Sequence, residues 1–253
     1  MISISRRPTA FFVRSFGASC RGPLHRKEGR PNEDAWLRAC GSFGSLVVVC
    51  DGIGSRPKAR RGAQAACRAV REAVVRWAQA DDAPIGYLIH LIEVCWRLRI
   101  HPASPGECAT TCLWALARNS GEWFMGALGD GLVLHRTGQG PLEVMMGERR
   151  SGFGNETAGL GASAGVKSWK VLQLPPTEEE RLVVLATDGI ADDLVPEKYG
   201  AFCSWISGEL GMLEPSRRWR LLMAELEHWP TPKHLDDKTL AVLHGAARGE
   251  MVL

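Results

Sequence analysis

The sequence contains no apolar run long enough to cross a membrane as a helix. It has no repeat, no low-complexity tract and no Pro/Ser/Gly-rich linker to mark a seam, so residues 1–253 read as a single domain. A strong charge of either sign is missing as well. The 31 Lys and Arg stand against 28 Asp and Glu, and a net charge of +3 gives little footing for a nucleic-acid or membrane-surface binder. The eight cysteines, at positions 20, 40, 50, 67, 95, 108, 112 and 203, form neither a C-x-x-C pair nor a zinc-like Cys/His spacing. Several lie inside apolar runs, so they read as reduced core thiols of a cytoplasmic protein rather than a disulfide framework. Arg6-Arg7 imitates a twin-arginine signal, but the apolar stretch that follows is short and broken by Arg14, which is wrong for a leader. FFVRSFGAS reads as a first strand instead. What the chain does have is 45% hydrophobic and 23% charged residues, enough for a core of ordinary size. Its nine tryptophans fall mostly at core spacing rather than as stacking platforms for bases.

The polar stretch RGPLHRKEGRPNEDAW, residues 21–36, carries the Gly and Pro of a loop and re-enters apolar sequence just after Asp34. LVVVCD, residues 46–51, lacks alternation and predicts a strand buried on both faces. From Ala59 to about Ala80, Ala63, Ala66, Cys67, Val70, Val74 and Trp77 recur at helical spacing; Leu88, Leu91, Ile92, Cys95 and Leu98 do the same over residues 85–99. The β-rich runs ATTCLWALAR, GEWFMGALGD and GLVLHR are separated by turn signals at Asn119-Ser120-Gly121 and Asp130-Gly131, which predicts antiparallel hairpins. Strands over 168–174 and 181–187, helices over 190–209 and 215–228, and a last strand KTLAVLHG complete the pattern. This order predicts an α+β fold of antiparallel sheets covered by helices.

Three apolar runs end on Asp-Gly: VVVCDG at Asp51, FMGALGDG at Asp130 and RLVVLATDG at Asp188. A single Asp-Gly is simply a good turn. Three of them, joined by the acids of NEDA (32–35) and LDDKTLAVL (235–243), point to carboxylates gathered at strand ends. Crowded carboxylates repel and raise one another's pKa unless a cation neutralises them, and hard divalent ions do so with oxygen ligands. Glycine after the ligand Asp leaves its carbonyl free to approach an ion. Two ions sharing one carboxylate would lower the pKa of a water held between them and aim it at phosphorus, with no protein nucleophile.

The order of motifs resembles the metal-dependent protein phosphatases, the type 2C serine/threonine family, and their compact bacterial branch in particular. It runs H-x-x-x-G-x-P-N-E-D-A (25–35), V-C-D-G-I-G-S (49–55), A-T-T (109–111), L-G-D-G (128–131), N-E-T (155–157), A-T-D-G-I-A-D-D (186–193) and D-D-K-T-L (236–240), over residues 12–244. The resemblance implies an α-β-β-α sandwich of two antiparallel sheets flanked by helices, with two Mn²⁺ or Mg²⁺ ions, or three, at one end. By motif, Asp51 would bridge two ions. The Gly52 carbonyl and the NEDA acids would serve the second, Asp34 being the matched acid of bacterial members and Glu33 its neighbour. Asp188 and Asp236 would complete the first, while Asp130 and Asp192 match a third, weaker position. Thr110 and Thr111 match strand residues packed behind the site.

This chain also departs from the family. Ile53 stands where some members carry a His proposed as general acid, which leaves water or His25 to protonate the leaving group. The phosphate-gripping Arg of the family falls on Gly29, with Arg30 one place away. Arg149 and Arg150, in the region that varies among members, and Arg56, Lys58, Arg60 and Arg61, after the Asp51 strand, are candidates for meeting an acidic or phosphorylated segment.

The activity implied is hydrolysis of phosphoserine or phosphothreonine in a protein substrate, opposite a cognate Ser/Thr kinase, by a monomer that binds neither nucleic acid nor membrane. An aspartate-nucleophile phosphatase would need a second Asp at position 53, which is Ile. A catalytically silent copy of the fold, acting as a binding or signalling module, is the alternative of a different kind.

Overall fold

The computed structural model describes residues 11–80, 83–146, 158–162, 166–230 and 235–247. Arg149, Arg150 and the N-E-T motif lie outside the described residues. Among the described residues ten strands form: β1 (Phe11–Cys20), β2 (Ala35–Gly41), β3 (Gly44–Cys50), β4 (Cys112–Ala117), β5 (Trp123–Leu128), β6 (Leu132–Thr137), β7 (Glu143–Met146), β8 (Lys170–Leu174), β9 (Arg181–Ala186) and β10 (Lys238–Ala247). The helices are α1 (Pro23–Lys27), α2 (Ala59–Trp77), α3 (Ile85–Ile100), α4 (Asp188–Ala191), α5 (Tyr199–Ser204) and α6 (Pro215–Glu227). The strands make two five-stranded sheets, β1-β10-β9-β6-β7 and β2-β3-β4-β5-β8, antiparallel throughout.

The unbroken apolar run of β3 reflects burial on both faces. Val47 and Val49 join the layer between the sheets, with Leu113, Met125, Val183, Leu185 and Leu243. Leu46, Val48 and Cys50 point the other way, into a core shared with α2 and α3. On the far side, α5, the turn that follows it and α6 cover the first sheet through Phe202, Ile206, Leu222 and Leu226, in one core with Phe16, Val184 and Val242. The layers are therefore helix, sheet, sheet, helix, as the resemblance implies.

Several details differ from expectation. The stretch 21–36 is not all loop, because Pro23 starts α1, which carries His25. The α3 stripe is rotated: Leu98 is exposed, and Ile89, Trp96 and Ile100 take its place in the core with Leu88, Ile92 and Cys95. The helix expected over 190–209 is broken. α4 ends at Ala191, Val195 is extended before Pro196, and the chain resumes through a short 3₁₀ turn into α5 and a π-helical turn, Trp205–Leu210. Proline biases its predecessor away from the helical region, which accounts for the break. Strand β7 carries too little periodicity to be seen in the sequence. All eight cysteines are free thiols; seven are buried and Cys40 is exposed. Among the described residues no helix is long and apolar enough to cross a membrane.

Candidate metal centre

Strand register gathers the acids. In the first sheet Cys20 lies opposite Lys238, and Ala186 opposite both Leu240 and Leu132. The start of β10, the end of β9 and the start of β6 therefore share one end of the sheet, bringing Asp236, Asp188 and Asp130 there. In the second sheet Ala35 pairs with Cys50, Val49 with Leu113, and Cys112 with Leu128. Asp34, Asp51 and Thr111 therefore share an end too. Side chains join the two ends: Thr187 Oγ1 and Thr239 Oγ1 donate to Asp34 Oδ2 at 3.0 and 2.7 Å.

Asp34 is buried and its pKa is pushed up to about 8. Burial is the main cause, opposed by the hydrogen bond from Thr239 and assisted by the negative charge of Asp237. Asp51 is half-buried, and its carboxyl is pushed well above the usual carboxylate range, first by desolvation and then by the charges of Asp34, Asp188 and Asp236. Carboxyls from four separate chain segments thus act on one another through their charge. Asp51 is held there through its backbone. Its carbonyl accepts from Thr110 Oγ1 at 2.7 Å and from the Thr111 N–H at 2.8 Å, while its own N–H donates to Thr111 Oγ1 at 2.9 Å.

The glycines beside the acids have a packing reason. A Cβ on Gly52 would sit 2.6 Å from the Ala59 carbonyl carbon, at the first turn of α2. One on Gly189 would overlap the Asp237 carbonyl oxygen. Each Asp-Gly is thus where a neighbouring backbone crosses closely enough to bring a second segment to the acids.

Asp237, which the sequence pattern does not single out, is the hub of the surrounding loops. Its Oδ1 accepts from the Gly22 N–H at 2.7 Å, and its Oδ2 from the Glu33 N–H at 2.6 Å. Its Oδ2 also lies 2.8 Å from His25 Nδ1. His25 is buried, with Asp236 Oδ1 at 4.0 Å, so the ring faces the carboxylates rather than solvent. The ligand atoms of His25, Asp236 and Asp237 lie within 4.8 Å of one another. Arg30 bridges two loops through Nη2, to Glu33 Oε2 at 2.9 Å and to the Gly54 carbonyl at 3.2 Å. Asp192 closes α4, its N–H donating to the Asp188 carbonyl at 2.9 Å, and Asp130 lies in the β5–β6 turn. Neither is among the charges acting most strongly on Asp51. Ile53 packs towards Gly159, where an added Cβ would lie 3.2 Å from Ile53 Cδ1.

Missed with Asp237 were Thr187 and Thr239. Both stand beside an acid in quoted motifs, A-T-D-G and D-D-K-T, but a threonine in a strand is also what β propensity alone would give.

The four aspartates offer oxygen donors, and the charges of Asp34, Asp188 and Asp236 push the Asp51 carboxyl up. A hard divalent cation is the neutraliser such a set fits. Residues 21–229 match the family model for protein phosphatase 2C. The chain belongs to the protein phosphatase 2C family. No curated protein matches it significantly by sequence. Solved structures share the fold. The catalytic domain of the serine/threonine protein phosphatase PstP, in complex with two manganese ions, aligns at 17% identity and a TM-score of 0.61, over 94% of this chain and 100% of that one. The PPM Ser-Thr phosphatase MsPP from Mycobacterium smegmatis, in complex with cacodylate, aligns at 16% identity and 0.62, over 91% and 97%. RsbX in complex with magnesium aligns at 14% identity and 0.56, over 97% and 100%. Members of the fold thus hold Mn²⁺ or Mg²⁺, and this protein phosphatase 2C chain has a donor set of matching chemistry.

Proposed function

We propose that the chain is a Mn²⁺- or Mg²⁺-dependent protein phosphatase that hydrolyses phosphoserine or phosphothreonine. The observation that carries this reading is the strand register that brings Asp34, Asp51, Asp188 and Asp236 to sheet ends joined by Thr187 and Thr239, where the charges of the other three push the Asp51 carboxyl up. Two divalent ions bound there would supply Lewis-acid polarisation of the phosphoryl group and activation of a water. Asp51, on which the charges of the other three acids act, suits a bridging ligand, with the Gly52 carbonyl beside it. Thr187 and Thr239 fix the orientation of Asp34. In this reading Asp130 and Asp192 would serve a third, weaker position.

Arg30 is the phosphate-gripping residue in this reading. Glu33 and the Gly54 carbonyl hold its guanidinium at the mouth, where its side chain is 35% exposed and retains donors for phosphate oxygens. His25 acts as a positioning residue through Asp237, since its ring is buried on that carboxylate. With Ile53 apolar, the leaving alkoxide takes its proton from water. The substrate is a phosphoprotein, and its maker is a Ser/Thr kinase.

Hydrolysis of a phosphothreonine peptide with Mn²⁺, with and without EDTA, tests the reading. Turnover that EDTA abolishes and that Asp188→Asn lowers at least about 100-fold is expected. Mn²⁺ binding without turnover of peptide or aryl phosphate would make the chain a silent signalling module instead.

A further inference from the structure

Strand β2 is an edge of its sheet, pairing only with β3. Beside it, between the strand and α2, runs a groove of about 670 Å³. Its apolar lining is Leu37 of β2 and Val75 of α2; its charge comes from Arg68, Arg71 and Arg76 of α2 and Arg99 of α3, against the single Glu72. Glu72 accepts from Arg76 at 2.8 Å and Arg99 at 2.6 Å, and these bonds fix two of the guanidiniums. Arg68 and Arg71 are exposed and make no side-chain hydrogen bond or ion pair among the described residues. Arg60, Arg61, Arg68 and Arg71 follow one another along the outer face of α2, which starts just after the Asp51-Gly52 corner. Leu37 is three residues beyond Asp34, about 10 Å along the strand.

We propose that this groove docks an extended acidic segment of the phosphoprotein substrate, with an apolar side chain against Leu37 and Val75 and carboxylates or a second phosphate on Arg68 and Arg71. Charge complementarity favours this occupant, because four guanidiniums face one carboxylate. The groove's shape favours it too, since an edge strand offers unpaired backbone groups to an extended chain. Because Leu37 lies about 10 Å along β2 from Asp34, the groove would bind residues near the phosphorylated one. The inference rests on the phosphatase reading for the substrate's identity, but not for the binding itself.

Fluorescence anisotropy separates the two. The probe is a labelled twelve-residue peptide of glutamates around one leucine and one phosphothreonine, and single-stranded DNA of equal charge is the rival. Peptide binding at low salt that weakens about tenfold in the Arg68→Glu/Arg71→Glu variant is expected. The variant Arg217→Glu/Arg220→Glu, with the same charge change on exposed residues of α6, should bind like wild type. Turnover of an aryl phosphate should be unchanged in both, while kcat/KM for the acidic phosphopeptide should fall about tenfold in the first through KM. Equal peptide affinity in wild type and Arg68→Glu/Arg71→Glu overturns the proposal, as does an equal loss in both variants or tighter binding of the DNA. If the peptide binds as expected and no phosphate is released under any condition, the phosphatase reading fails and the docking groove stands.

Discussion

A carboxyl that is costly to ionise without a partner is the clearest residue-scale mark of this centre. Asp34, held at about 8, keeps its proton in the folded chain over a pH range where the unfolded carboxyl, at its ordinary 3.8, has lost it. The folded state then binds more protons than the unfolded one, so stability of EDTA-treated protein falls as pH rises from about 4 to about 8. Saturating Mn²⁺ should reverse that slope, because the ion binds the ionised carboxylates. Urea midpoints at pH 5 and pH 8, with EDTA and with Mn²⁺, give the two slopes directly. Thr239→Val removes the 2.7 Å hydrogen bond to Asp34 and the 2.7 Å bond with Ser19 Oγ. It should lower Mn²⁺ affinity about 10- to 100-fold and cost about 1–3 kcal/mol of stability in EDTA. The same holds in kind for Thr187, whose hydroxyl also receives the Thr239 N–H at 3.0 Å.

The strands deliver the acids, and the crossings between elements keep them in place. Asp237 ties α1, the loop before β2 and the start of β10 together through three contacts of 2.6 to 2.8 Å. Asp237→Ala leaves two backbone N–H groups and a buried imidazole without this acceptor. It should cost about 3–5 kcal/mol in chemical denaturation. Gly189→Ala would drive a methyl group into the Asp237 carbonyl and so separate α4 from β10. A loss of about 1–3 kcal/mol, together with weaker Mn²⁺ binding, is expected from denaturation and metal titration. At this scale the sequence was legible where periodicity was strong: β1, β3, α2, β4 to β6, β9, α6 and β10 follow from apolar runs and turn signals. It failed where one residue overrides a pattern. Pro196 broke the helix expected over 190–209, and Leu98 sat at helical spacing yet faces solvent because Ile100 and Trp96 take the core.

For the whole molecule, the site was legible because it is written as strand ends. Each of Asp51, Asp188 and Asp236 stands where an apolar run stops or starts, and antiparallel pairing carries such positions to one edge. The support around them was not legible in the same way. Asp237 looks like one more acid of a pair, and only the fold reveals that it binds loops while its neighbour faces Asp51. His25 and Arg30 were legible as candidates but not in their roles, since burial on Asp237 and the grip of Glu33 are tertiary facts. The order of the motifs pointed to the family; the four-layer sandwich and the match over residues 21–229 carry it. Calorimetric titration of metal-free protein with Mn²⁺ tests the central claim most directly, comparing wild type with Asp51→Asn. Wild type should bind two or more ions, and the variant should lose at least one of them and bind the rest about 100-fold more weakly. Equal stoichiometry and affinity in the two proteins would contradict the metal centre.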